Sequence, residues 1–377
     1  MAKRLIAPPP TLPGYSYVRP LGSGGFADVY LFDQDLPRRV VAAKVLTSDV
    51  ATPDVLRTFN AEADVLARLS SHPAVVTIYQ ASIAADGRPY FIMEYCPDTM
   101  SARYRRGPLA IADVLDIGVR IGGALETAHR AGLLHRDIKP SNILVTSLGS
   151  PVLADFGIAA ALAADGDDLI AMSVPWSAPE VLEERISGSV PSEVWSLAAT
   201  LYTLLAGRSP FEADRRDLNS RDQITARIIK AKYTPTGRAD VPDRLEQALA
   251  IAMSKDPDRR FPTVHSFAEE LRWVQYELGV PPTNLDVAAT EWVRAAGPLA
   301  LDDVERRGPA VTVVNAHSRR AVRAEKAAAE AQRDRDGLVI RERRRGPSPL
   351  VAALIGAGVA IVAMVGIGIA LLTSGVL

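Results

Sequence analysis

The chain of 377 residues holds a single cysteine, Cys96, so no intramolecular disulfide can form and nothing in the fold waits on oxidation. A reducing compartment is the expected home. Surplus charge is also missing: 43 Lys and Arg stand against 44 Asp and Glu, a formal net charge of −1. That balance excludes a wholly basic nucleic-acid binder, although a basic segment can hide within it. No apolar run opens the chain. The start, MAKRLIAPPPTLPG, carries Lys3 and Arg4 and then breaks into prolines before the core of a signal peptide develops, so no N-terminal export is expected. No internal repeat appears either. What is present is a hydrophobic content of 48%, enough for a packed core, in a length that admits two or three domains.

Charge is wholly absent from Leu350 to Leu372, which reads LVAALIGAGVAIVAMVGIGIALL. A helix needs roughly 20 apolar residues to cross ~30 Å of hydrocarbon, and this run predicts one transmembrane helix. A buried core helix would rarely be so long or so rich in glycine, and would need cover on every face. Arg341, Arg343, Arg344 and Arg345 precede the run and only Thr373 to Leu377 follow it. The positive-inside rule then predicts a single pass of the cell membrane with the large N-terminal part cytoplasmic, the C-terminus outside and no external sensor domain. Ala352, Gly356 and Ala360 form a small-xxx-small row that can bring two such helices together as a homodimer, though small residues are common in membrane helices generally. From His317 to Gly346 ten Lys and Arg face five Asp and Glu. This surplus suits attraction to anionic lipid, and a solvated linker obeying the insertion rule explains it as well.

Residues from about Tyr15 to Leu278 alternate strand, helix and loop signals densely, whereas Gly279 to Pro349 is rich in Ala, Arg and Pro, so a boundary is expected near Gly279. Within the later region Arg319 to Arg335 reads as a polar helix or a disordered basic spacer, and Trp292 marks a short helix around Leu285 to Ala296. Near the start, Leu21-Gly22-Ser23-Gly24-Gly25-Phe26-Ala27-Asp28-Val29 leads into the strand-like YLF, a turn, and the β-branched run RVVAAKV. Strand, turn, strand is not the context of a dinucleotide-binding loop, which opens a helix, and no GK[ST] of a P-loop is present. The glycines alone fit a plain hairpin turn equally well. Lys44 ends the following strand and is, apart from Lys3, the only lysine before residue 139. Thr52 to Leu69 then reads as an amphipathic helix, with Thr52 as N-cap, Pro53 at its first turn and Val55, Phe59, Leu66 and Leu69 on one stripe. Glu62 falls on that stripe, and a carboxylate on a buried face needs a cation, for which Lys44 is the natural partner. These features resemble the N-terminal lobe of a protein kinase, where a glycine loop covers nucleotide phosphates and a lysine paired with a helix glutamate holds them.

The run His135-Arg136-Asp137-Ile138-Lys139-Pro140-Ser141-Asn142 follows a helical stretch, Val114 to Ala131, and matches the kinase catalytic loop throughout. Thirteen residues past Asn142, after the strand PVLA, comes Asp155-Phe156-Gly157. A lone charged HRD stretch could be a surface loop, but that reading fails once the second motif appears in the right order. The resemblance covers roughly residues 15 to 275 and implies roles. Asp137 would accept or orient the substrate hydroxyl proton, Lys139 would neutralise charge on the transferred phosphoryl, and Asn142 and Asp155 would bind Mg²⁺, with Mn²⁺ as an alternative. Lys44 and Glu62 complete the catalytic set. ATP would lie among Leu21 to Val29, Ala42, Lys44, the gatekeeper Met93 and the hinge from Glu94 to Cys96. Ala178-Pro179-Glu180 resembles the end of an activation segment, and Glu180 is expected to pair with Arg260. Val190 to Leu205, apolar nearly all round, is expected to be the central helix of the larger lobe.

The implied fold is α+β and bilobal, a small β-rich N-terminal lobe and a larger helical C-terminal lobe, plus the C-terminal membrane helix. Its parts are an N-terminal tail at 1–14, a kinase domain at 15–278, a juxtamembrane linker at 279–349, the span at 350–372 and an external tail at 373–377. Lys139 two residues past Asp137, together with Ser173, is similar to the serine/threonine class, and the bacterial receptor-like branch fits best. Protein substrates bearing Ser or Thr, autophosphorylation and no nucleic-acid partner are implied. The sequence departs from the family pattern in four places. Ala27 replaces a glycine, Met172-Ser173 replaces Gly-Thr, Trp176 replaces a tyrosine, and Glu193 replaces the aspartate that anchors the catalytic loop. Small shifts are expected to accommodate Glu193. No threonine lies between Gly157 and Pro179, and Asp165, Asp167 and Asp168 place negative charge where Arg136 would otherwise receive a phosphate. They either mimic phosphorylation or form a solvated acidic loop. The rival reading is a pseudokinase scaffold, against which Lys44, Glu62, Asp137, Asn142 and Asp155 stand together.

Overall fold

A computed structural model describes residues 6–24, 27–47, 59, 63, 65–156 and 173–288. Five antiparallel strands form the smaller lobe: β1 (Tyr15–Ser23), β2 (Ala27–Gln34), β3 (Arg39–Leu46), β4 (Ile78–Ile83) and β5 (Pro89–Glu94), in the order β1-β2-β3-β5-β4. The two-residue period of β3 decides what faces where. Val41, Ala43 and Val45 enter an outer cluster with Leu12, Tyr30, Phe32, Tyr90 and Ile92. Ala42 and Leu46 point the other way, into the main core with Phe59, Leu66, Leu69, Phe91 and Met93. Lys44 lies between them and shares their face, turned toward the larger lobe. Of the helix expected at 52–69, the described residues Phe59, Ala63 and 65–69 are helical, and Phe59 packs on Phe91 with ring centroids 4.5 Å apart.

The segment read as an N-terminal tail is docked where it is described. Leu12 is buried, the Ala7 N–H donates to Asp28 Oδ2 at 3.1 Å, the Tyr30 hydroxyl donates to the Ala7 carbonyl at 2.7 Å, and Arg88 donates to the Pro8 carbonyl at 2.9 Å.

The larger lobe holds a small sheet, β6 (Asp98–Thr99), β7 (Ile143–Val145) and β8 (Pro151–Leu153), and the helices α1 (Met100–Arg106), α2 (Ile111–Arg130), α3 (Pro179–Leu182), α4 (Val190–Ala206), α5 (Arg221–Lys230), α6 (Asp243–Ala252) and α7 (Val264–Glu277). α4 is buried along most of its length, as its apolar sequence requires. A capping box between Ser189 and Ser192 starts it and Gly207 at φ +72° ends it. α2 and α7 approach closely because α2 presents glycines to its neighbour. A Cβ on Gly122 would lie 2.9 Å from that of Ala268, and one on Gly118 would lie 2.6 Å from Leu271 Cδ1. Among the described residues no helix is long and apolar enough to cross a membrane, and the span expected at 350–372 lies outside them.

Candidate active site

The strand register carries Lys44, paired with Val29 on β2 and Phe91 on β5, to the mouth of the interlobe cleft. There its Nζ meets Asp155 Oδ1 at 2.7 Å across 111 positions of sequence. Partial desolvation at the cleft mouth would by itself raise the Asp155 carboxyl, but the Lys44 ammonium beside it holds the group below the ordinary carboxylate value. Glu62, the partner expected for Lys44, lies outside the described residues, as do Gly25 and Phe26 of the glycine loop. The rest of that loop closes by a 2.8 Å bond from the Gly24 N–H to the Ala27 carbonyl. Leu21, Gly22 and Ser23 end β1, with Gly22 opposite Val29 and Ser23 opposite Asp28. The Asp28 side chain is buried on the docked N-terminal segment, so its backbone, not its carboxylate, belongs to the loop. Ala42 pairs with Met93, and both sit in one apolar cluster with Ala27, Leu21, Val29, Cys96 and Leu144, a surface suited to a flat base. The Glu94 N–H donates to the Thr77 carbonyl at 2.9 Å. Burial first, then the Glu94 charge, push the Cys96 thiol up to about 12, so it stays protonated and unreactive.

Asp137 is the hub of the catalytic loop. Lys139 Nζ lies 2.7 Å from its Oδ2, Asn142 Nδ2 donates to the same oxygen at 2.9 Å and to the Asp137 carbonyl at 2.8 Å, and the Ser173 hydroxyl donates to Oδ1. Lys139 also donates to Ser173 Oγ at 2.8 Å, so Ser173 fills the place of the expected threonine. The Asn142 amide nitrogen is committed to Asp137, and its carbonyl oxygen accepts from the Ser141 hydroxyl at 3.3 Å. That oxygen and the Asp155 carboxylate are hard donors of the kind a magnesium ion takes. No group of three His, Cys, Asp or Glu gathers among the described residues, and Mg²⁺ does not require one, since it is held by one or two carboxylates together with substrate phosphates and water. The donor set therefore fits Mg²⁺.

Two non-glycine residues in this region adopt left-handed backbone, Arg136 at φ +64° and Asp155 at φ +62°. Such conformations cost on the order of 1–3 kcal/mol each and persist only where the surroundings fix them. His135, wholly buried, ties the two turns together. It accepts the Asp137 N–H at Nδ1 (3.2 Å), donates from Nε2 to the Ala154 carbonyl (2.9 Å), and packs on Phe156 at 4.7 Å between ring centroids. Burial drives its pKa below the ordinary 6.5. The unfolded chain thus takes up this proton before the folded one does, and the stability His135 contributes is complete above about pH 6.5 and lost as pH falls. His72 is depressed by burial in the same sense. Denaturant unfolding should show stability declining as pH falls below about 6.5, by up to ~1.4 kcal/mol per pH unit for each such proton. A flat profile would contradict the neutral, buried ring.

Glu193 anchors the loop despite its extra methylene. Its Oε1 accepts the Arg136 N–H at 2.6 Å and its Oε2 is bonded by the His129 ring, with the residue only 2% exposed. His129 was not legible as part of the site, since nothing in the last turn of α2 signals a partner 64 positions away. Restoring the family's aspartate by Glu193→Asp should weaken the protein. The shorter arm draws the buried carboxylate away from the Arg136 N–H and the His129 ring, at a cost of about 1–3 kcal/mol that a melting curve would register. Trp176, in place of tyrosine, donates from its indole to Thr203 Oγ1 at 3.0 Å. The expected pair of Glu180 and Arg260 is present and bidentate, at 2.7 and 2.8 Å. Asp165, Asp167, Asp168, Gly157 and Met172 lie outside the described residues.

Residues 15–272 match the protein kinase domain family. The chain belongs to it. It is 37% identical over 312 residues to the serine/threonine-protein kinase PknK of Mycobacterium tuberculosis, covering 81% of this chain and 27% of that protein. It is 32% identical over 265 residues to the serine/threonine-protein kinase PrkC of Bacillus subtilis, covering 68% of this chain and 40% of that one. The chain thus spans well under half the length of these relatives. A contiguous 81% is also more than residues 1–272 can supply, so the likeness to PknK continues past the matched domain, whereas the match to PrkC need not. The crystal structure of the PknI kinase domain of Mycobacterium tuberculosis superposes with a TM-score of 0.54 at 28% identity, covering 71% of this chain and 98% of that one. The bilobal protein kinase fold is common to both.

Proposed function

We propose that the chain is an ATP- and Mg²⁺-dependent protein kinase that transfers the γ-phosphoryl group to Ser or Thr hydroxyls of proteins at the cytoplasmic face of a membrane, and that it phosphorylates itself. The observation that carries this reading is the meeting, in one cleft, of the Lys44–Asp155 pair and the Asp137, Lys139, Asn142 and Ser173 cluster. In the reaction, the substrate oxygen bonds to the γ-phosphorus as the bond to ADP breaks, and the hydroxyl proton passes to the Asp137 carboxylate. Lys139 balances charge on the phosphoryl oxygens, and Ser173 holds Asp137 and Lys139 in register. Asn142 and Asp155 would hold Mg²⁺, which supplies neutralisation of the phosphate charge.

The membrane location rests on the uncharged run at 350–372 and the arginines before it. The small-residue row at Ala352, Gly356 and Ala360 supports a homodimer within the bilayer.

The test is transfer of labelled phosphate from ATP by the full chain in native membranes, followed by identification of the modified amino acid. Label on Ser and Thr, absent with Asp137→Asn, is the expected result. Equal labelling by both proteins, or none by either while nucleotide still binds, would favour a scaffold. Release of the chain from membranes by high salt alone would overturn the single-pass anchor.

A further inference from the structure

Past α7 and Gly279, residues 280–288 run back across α2 and reach the smaller lobe. Thr283 and Gln275 are both buried and bond each other twice, the Thr283 N–H to Gln275 Oε1 and Gln275 Nε2 to Thr283 Oγ1, each at 2.8 Å. The Thr283 hydroxyl donates on to Asp116 Oδ1 of α2 at 2.9 Å. At the far end the Ala288 N–H donates to Thr127 Oγ1 at 3.1 Å. Between these points the Asp286 carbonyl lies directly on α2 at Gly123, where a Cβ would stand 2.2 Å from the oxygen. Glycine inside a helix costs roughly 0.5–1 kcal/mol against alanine, so its position here is explained by this approach and not by helix propensity.

The same Asp286 carbonyl accepts from His72 Nε2 at 2.8 Å. His72 sits in the turn that ends the helix at 65–69, and its Nδ1 accepts the Ala74 N–H at 3.0 Å, which places the ring proton on Nε2. The next links are backbone. Leu153 N–H donates to the Ala74 carbonyl at 2.8 Å and Val76 N–H to the Leu153 carbonyl at 3.0 Å. Leu153 ends β8, two residues before Asp155. A path of hydrogen bonds thus joins the segment after the catalytic domain to the strand that leads into the candidate metal ligand.

We propose that residues 280–288 are a strap that holds the turn at Ser70–Val76 and thereby the position of Asp155, with Gly123 and His72 as positioning residues for the nucleotide. The strap lies at the start of the expected linker, and it falls within the stretch of likeness to PknK. Its effect on turnover rests on the kinase reading; the strap itself does not.

The test uses the full chain in detergent micelles with two variants that touch no cleft residue. Gly123→Ala pushes the Asp286 carbonyl off α2, and Thr283→Val removes the anchor at the other end. Amide exchange by mass spectrometry should rise at 280–288, at 70–76 and at 151–155 in both variants, and KM for MgATP should rise about 3–10-fold with KM for the protein substrate unchanged. Faster exchange confined to 280–288 with unaltered KM, or unaltered exchange at 280–288 itself, overturns the proposal. If Gly123→Ala fails to fold, Thr283→Val decides alone. If the unmodified chain transfers no phosphate, the kinase reading fails while the exchange data still judge the strap.

Discussion

Asp155→Ala is expected to lower kcat/KM for phosphoryl transfer about 10³-fold while changing stability by no more than about 1–2 kcal/mol. The asymmetry follows from where the residue sits. Its side chain is 43% exposed to the cleft, so removing it opens no cavity, and Lys44, left without its 2.7 Å partner, can draw in water. The loss falls on chemistry, since on the proposed reading this carboxylate would hold the cation, and it lies 2.7 Å from Lys44, the lysine expected to meet the phosphates. Alanine also tolerates φ +62° less well than aspartate, which adds a small backbone cost. Asp155→Asn keeps the backbone preference and separates the two contributions. Lys44→Met should cost a similar factor, and the double variant little more than either single one, because the two residues act on one phosphate group. Steady-state kinetics on purified variants checks this, and an Asp155→Ala protein retaining a tenth of the rate would contradict it.

The largest effect on stability is expected at the buried pair of Glu180 and Arg260. Glu180→Ala should destabilise the chain by about 3–5 kcal/mol, which in a domain of this size lowers the melting temperature by roughly 6–20 °C. The Arg260 side chain is 0% exposed and Glu180 4%. The guanidinium also donates to the Ser254, Pro191 and Lys255 carbonyls and lies 5.0 Å from the Trp195 ring centroid. Removing the carboxylate leaves that charge buried without its counter-ion. Replacing both partners with apolar residues of similar volume should cost much less than either single change. Calorimetry of the two single variants and the double one separates the pair's worth from the penalty of an orphaned charge.

The parts of the site that were legible in the sequence are those written as contiguous runs. HRDIKPSN and DFG place Asp137, Lys139, Asn142 and Asp155, because fixed chemistry at fixed spacing leaves little else for such runs to be. Alternation in RVVAAKVL likewise put Lys44 on the face of Ala42 and Leu46. What stayed hidden depends on partners brought together only by tertiary packing. The contact of His129 with Glu193, and that of His72 with Asp286 across 214 positions, leave no local period to read. The prolines of residues 8–10 read as a tail, since an extended segment docked by single hydrogen bonds has no helical or strand pattern. The departure at Glu193 was visible as a mismatch, but its resolution needed the geometry of α4, which sets the carboxylate against the Arg136 N–H.

Titration calorimetry of MgATP into the purified full chain is the most direct check that Lys44, Asp137 and Asp155 serve a single nucleotide. One saturable site should appear, weakened at least about tenfold by omitting the metal and lost in a Lys44→Met, Asp155→Ala double variant. Heat of binding that is indifferent to metal and to both substitutions would contradict a shared site.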